Sequence, residues 1–279
     1  MSALTTKSPR MRVHSPTRKL HRFWTPSHVF AVILMLGAPS LSVAQGGPPM
    51  LTEDPGTPGA GNWEINTAYL GERTYGERVD SFPHIDINYG LGEHLQLKYE
   101  TGWLFVNEHN GRGHRSGLDS SLFGVKWRFL DRDDHGADVS VYPQLELQNP
   151  DSAVARGIAT PGPNLFLPVE FAVQLGSVRL VGEVGYQWLR KEEDAWVAGI
   201  LGAYEATEGL ELLAELRSIS GKLLNGGDLI VNVGLRKELG KRWKLLASAG
   251  TGVNNGPART QFIGYLGVQW LFGPETHRE

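Results

Sequence analysis

Charged and amide side chains recur at every second position of stretches that are otherwise apolar, and this spacing could do chemistry. His94, Gln96, Lys98 and Glu100 alternate with Leu95, Leu97 and Tyr99; Lys126 and Arg128 alternate with Val125, Trp127 and Phe129. Asp86, Glu146, Glu170, Arg179, Glu183, Glu211, Glu215, Arg217 and Arg236 hold the same phase in their own stretches. Successive side chains of a strand point to opposite faces, so one face collects fixed charges of both signs and the other stays apolar. Such a face can line an aqueous passage that selects solutes. It can equally neutralise itself as a salt-bridged filling that seals the interior. Lys98 beside Lys126 adds a condition: the pair repels unless water or a carboxylate comes between them.

Other chemistries find less support. Residues 107–115 carry His109 and His114, but their spacing matches no closed metal site and the stretch reads as a solvated loop, so no metal is expected. A lipid hydrolase would need a Ser and a His together on the lipid-facing side of the wall. His84 and His94 fall on the polar face, and no Ser-centred nucleophile motif is visible, so the chain does not read as an enzyme. There is no cysteine. No cofactor is implied.

The elements that must position these residues are strands. Residues 62–70, 82–89, 94–105, 118–130, 137–148, 164–175, 178–189, 196–204, 210–218, 228–238, 243–251 and 260–272 alternate apolar with polar between turn signals. Residues 196–204 are apolar on both faces and cannot be oriented. The expected fold is an all-β, up-and-down transmembrane antiparallel barrel of about 12 strands, of the length that spans a bilayer. Links between strands alternate in length, tight turns at one end and longer polar loops such as 71–81, 106–117 and 149–163 at the other. Hydrocarbon cannot satisfy a backbone N–H or C=O, which is why only a closed sheet would serve.

The ends of the chain agree with export. Residues 1–44 read as a signal peptide: Lys7, Arg10, Arg12, Arg18, Lys19 and Arg22, then a short apolar core, then Ser42-Val43-Ala44. Without it the 27 Lys+Arg and 30 Asp+Glu of the full chain become 21 against 30, a balance that excludes nucleic acid as a partner. Residues 45–61 form a Gly/Pro-rich leader, either a plug or a periplasmic lead-in; 62–272 form the barrel and 273–279 a tail. The last strand places Leu266, Val268, Trp270 and Phe272 on one face and Tyr265, Gly267 and Gln269 on the other. It resembles the C-terminal assembly signal of outer-membrane barrels, with Tyr265, Gly267, Trp270 and Phe272 as its key positions.

The segment 48–66 adds a second resemblance. Glu53, Asp54, Pro55, Thr57, Pro58 and Gly59, followed by Trp63, Glu64 and Ile65, are similar to the start of a Gram-negative family labelled after the MetA pathway of phenol degradation. That resemblance implies a bacterial outer-membrane transporter for small hydrophobic or aromatic compounds. Its partners would be outer-membrane lipid, lipopolysaccharide and the barrel-assembly machinery, and it would act as a monomer. A structural or surface barrel without transport is the competing expectation.

Overall fold

Strand residues alternate between burial and exposure along nearly every element, and the sheet they build closes on itself. The computed structural model describes residues 47–108, 113–221, 227–254 and 260–274. Residues 1–44, where a signal peptide is expected, the first leader residues, His109 and most of the tail lie outside the described residues.

The strands are β1 (Trp63–Arg73), β2 (Glu77–Gly90), β3 (Leu95–Glu108), β4 (His114–Leu118), β5 (Ser121–Leu130), β6 (Asp138–Val141) and β7 (Gln144–Leu147). They continue with β8 (Asn164–Leu175), β9 (Val178–Trp188), β10 (Ala195–Thr207), β11 (Leu210–Ser220), β12 (Asp228–Glu238), β13 (Trp243–Gly252) and β14 (Phe262–Phe272). Two short helices, α1 (Arg132–His135) and α2 (Asp151–Ala155), sit in links. All pairings are antiparallel between neighbours, and β1 pairs with β14 from Trp63↔Phe272 to Arg73↔Phe262, closing the ring.

Two wall strands are interrupted. β3 pairs with both β4 and β5, the register slipping between Trp103↔Leu118 and Glu100↔Leu122, so β4 and β5 are one strand bulged at Asp119 and Ser120. β6 and β7 keep one register against β8 on either side of Tyr142 and Pro143. Pro143 has no N–H to give the ladder, which divides that strand without ending it. Joined so, the segments make a closed 12-strand antiparallel barrel.

The outer face is apolar. Trp103, Phe105, Trp127, Phe129, Phe171, Trp188, Trp243 and Leu266 are exposed, as side chains that meet hydrocarbon must be. At the closing seam Trp63 stacks on Phe272 at 5.9 Å, and next to it Trp270 of β14 stacks on Trp243 of β13 at 5.6 Å. The links at one end are short: Leu175 pairs with Val178 across Gly176 and Ser177, and Gly176 takes φ 61°, a conformation glycine adopts without steric cost. In single-chain barrels that end is periplasmic. At the other end the structure corrects two expected loops: most of 71–81 is strand, since β1 and β2 pair out to Arg73↔Arg78, and much of 106–117 is strand too, since β3 and β4 pair out to Asn107↔His114. Polar residues there extend the hairpins beyond the apolar band, where alternation of hydrophobicity no longer marks a strand.

Candidate functional site

Inward-facing positions are polar through the periplasmic half of the barrel. Asp86, Gln96, Lys98, Lys126, Glu170, Arg179, Glu183, Glu215, Arg217 and Arg236 are all buried there. Glu100, Arg128, Glu146 and Glu211 are half-buried on the same face. His94 departs from the expectation: it sits in the turn before β3, paired with Asp131 at 3.1 Å and largely exposed. The alternation carried one residue past the strand end, where the chain has already turned. His84 faces inward against Glu100 at 3.4 Å. For β10, which sequence alone could not orient, Val197, Leu201 and Ala203 are buried inward and Trp196, Ile200 and Tyr204 face out.

What fills this space is the leader. Residues 47–61 enter at the periplasmic end, rise along β11–β13, and return to the β2–β3 turn. Arg236 donates to the carbonyls of Gly47 at 3.1 Å and Pro48 at 3.2 Å. Ser248 donates to Pro49 O at 2.7 Å. The amides of Leu51 and Thr52 both donate to Glu215, and Arg217 donates to Leu51 O. The Glu53 amide donates to Glu183 at 3.2 Å, and Lys126 donates to Asp54 O. On the return, Thr57 Oγ1 donates to Glu93 O at 2.7 Å, and the Gly61 amide to Gly90 O at 2.9 Å.

The wall is shaped for this passage. A Cβ on Gly199 would come within 2.2 Å of Thr52 Oγ1, and one on Gly90 within 1.9 Å of Gly59 O. Both glycines are wall positions where only a hydrogen lets the leader approach. Met50 packs into an apolar cluster with Ala172, Val181, Leu201, Ala203 and Leu213.

The Lys98–Lys126 problem is solved from the leader. Glu53 Oε1 lies 3.1 Å from Lys98 Nζ and Glu53 Oε2 lies 3.8 Å from Lys126 Nζ. Each lysine also meets wall acids: Lys98 meets Glu100 at 2.9 Å and Asp86 at 3.6 Å, Lys126 meets Glu170 at 3.4 Å. Asp54 and Asp138 share Arg179 at 3.5 Å each, while Glu183 takes Arg217 at 2.8 Å and Glu211 takes Arg236 at 2.7 Å. Between the leader and the wall near Glu53, Asp86, Lys98 and Lys126 a space of about 10 Å³ remains, room for about one water.

Burial alone would push the Glu53 carboxyl up, but Lys98, Lys126 and Arg217 outweigh it and hold the group at about 2, below its usual 4.5. The sign follows: a depressed carboxyl contributes docking strength that is full above 4.5 and is lost as pH falls toward 2. Leader release, read from an environment-sensitive dye on residue 46, is therefore expected to be flat from pH 7 to about 5 and to rise below about 4.5. Asp86, Glu100, Glu170 and Glu183 face the same lysines and arginine, so Glu53→Gln is the comparison. It should raise release at pH 7 and flatten the acid limb; an unchanged limb would assign the effect to the wall acids.

Other sequence-marked residues fall as follows. Pro55 is buried, Asn62 donates to Pro58 O, and Gly59 takes φ 82° at the bend into β1. Glu64 is buried on the inner wall and accepts from Asn66. Glu146 accepts from Asn164, and Arg128 pairs with Asp131 at the rim at 2.6 Å. Tyr265 and Gly267 face inward, Trp270 and Phe272 outward. Sequence reasoning missed an amide belt: Gln269 donates to Asn66, Asn66 to Asp86, Asn88 to Asp86, and Gln96 to Asn88. These residues share the phase of the charged positions, and that phase was the available signal.

At the far end the lumen face is mixed, with an apolar patch beside Ser81, Asp228 and Thr260. Leu104, Val106, Val197 and Ile230 are buried inward. The link carrying α2 folds onto this face, with Ala153, Ile158 and Ala159 packed against Leu104, Val79 and Val154.

With this geometry in place, comparison with solved structures finds the same architecture. Neither a protein-family model nor a curated protein matches the sequence. A COG4313 outer membrane channel from Pseudomonas putida F1 superposes with TM-score 0.58 at 16% identity, over 78% of this chain and 98% of that one. The KdgM porin gives 0.53 at 15%, over 75% and 99%. The NanC porin gives 0.50 at 9%, over 75% and 98%. At these identities the likeness is one of fold. A closed barrel with an apolar exterior, in the architecture of these porins and channels, is a protein of the bacterial outer membrane.

Proposed function

We propose that the chain is an outer-membrane channel for small hydrophobic or aromatic compounds, held closed by its own leader. The observation that carries this reading is the leader running through the lumen, where Glu215 takes two of its amides and Glu53 comes between Lys98 and Lys126. A purely structural barrel has no need of a cationic pair bridged by a carboxylate from a separate segment. The structural neighbours are channels and porins, which supports passage of a solute. The substrate class rests on the resemblance of residues 48–66 to the phenol-pathway family and on the apolar inner face around Leu104, Val106, Val197 and Ile230.

The test is uptake by proteoliposomes of the refolded chain lacking residues 45–61, comparing a neutral monoaromatic probe with a neutral sugar of similar mass. The aromatic probe is expected to enter faster than through protein-free liposomes, and the sugar not to. Equal rates with and without protein, for a barrel shown to be folded by its heat-modifiable gel shift, would leave the structural-wall reading in its place. Faster entry of the sugar than of the aromatic would overturn the substrate class alone.

A further inference from the structure

The contacts that hold the leader are unusual in what they recognise. Glu215 takes the amides of Leu51 and Thr52, Glu183 takes that of Glu53, and Arg217, Arg236 and Lys126 take carbonyls. These wall side chains are each more than nine-tenths buried. They read the main chain, donor by donor and acceptor by acceptor, as a peptide-binding groove does. Among the described residues, side-chain recognition is found at the apolar cluster around Met50, at the cations that take Glu53 and Asp54, and at Thr57, whose hydroxyl donates to Glu93 O.

We propose that the inner wall is a peptide-binding site whose resident ligand is the leader. Its ligand class is an extended peptide with an apolar side chain followed three residues later by an acidic pair. An external peptide of that kind competes for the same groups. The idea rests on the leader being displaceable, as the gated-channel reading requires, but it concerns binding and not passage. A peptide fits better than a free carboxylate, since the wall around the lysines already carries Asp86, Glu100 and Glu170; a lone anion would meet these acids without the amides that satisfy Glu215 and Glu183.

The experiment uses the full chain with a specific protease site replacing residues 57–60, refolded and then cut, so that the leader is held by contacts alone. A dye-labelled synthetic peptide of residues 46–57 is added and its anisotropy followed. Saturable binding that displaces the cut fragment is expected. Methylating the peptide nitrogen of Thr52 removes the donor to Glu215 and should weaken binding by about tenfold or more. The Glu53→Gln/Asp54→Asn peptide should weaken by a similar factor, about tenfold, while Leu51→Ala should stay within about threefold. Release of the fragment with no rebinding of the peptide to a folded barrel would overturn the proposal. Equal affinity of the N-methylated peptide would overturn the main-chain reading. Both results are independent of the solute-uptake assay, so failure of either idea is distinguishable from failure of the other.

Discussion

Deleting residues 45–61 is expected to turn a barrel that passes almost no current into one with steady single-channel conductance, an increase of roughly tenfold or more for a lumen of this strand number. In the full chain the leader lies in the lumen on Arg236, Ser248 and Glu215, and about 10 Å³ remains between it and the wall near Glu53. Removing the leader frees Glu183, Glu215, Lys98, Lys126, Arg217 and Arg236 to water and leaves a charged path through the periplasmic half. A heat-modifiable gel shift checks that the truncated barrel folds. If it does not, the full chain answers the same question. Gly199 leaves room for Thr52 only because it has no Cβ, so Gly199→Leu should push the leader off the wall of the full chain and raise conductance toward the truncated level. Conductance of a folded Gly199→Leu barrel no higher than the parent's would sink the gating role of the leader.

Lys126→Met is expected to destabilise the barrel by about 3–5 kcal/mol, the usual result of removing one partner of a buried charge group. Lys126 is buried among Glu53, Glu170 and the Asp54 carbonyl. Glu170 is itself fully buried, and besides Lys126 only Ser140 is bonded to its carboxylate among the described residues. Without the lysine, Glu170 loses the cation that meets it, while Glu53 keeps Lys98. The measurement is urea unfolding in detergent or lipid, followed by tryptophan fluorescence and the gel shift. Adding Glu170→Gln to Lys126→Met should recover more than half of the loss, because the stranded charge goes with it. A double variant as unstable as the single one would show that Lys126 acts through packing and not through charge.

The sequence by itself determined the wall. Strict alternation in β3, β5, β8 and β14 places Lys98, Lys126, Glu170 and Gln269 inward and Leu97, Trp127, Phe171 and Trp270 outward, because a strand has only two faces and hydrocarbon accepts only one of them. It faltered where that rule loses its grip. His94 lies past a strand end, residues 71–81 extend beyond the apolar band, and β10 is apolar on both faces because its inner side meets the cluster around Met50.

Only the tertiary structure decided what the inner face does. Lys98 and Lys126 demanded an acid between them, and nothing in their spacing said that it would be Glu53, which precedes them by 45 positions in one case. Gly199 fell in a strand and Gly90 in a turn, and nothing in either position announced the leader that lies against both. Periodicity is a local property and fixes which side of the sheet a residue takes. Which partner it meets across the lumen depends on ring closure, strand register and the path of a segment with no period of its own. Those are long-range facts, and they alone turned a row of alternating charges into a lumen occupied by its own leader.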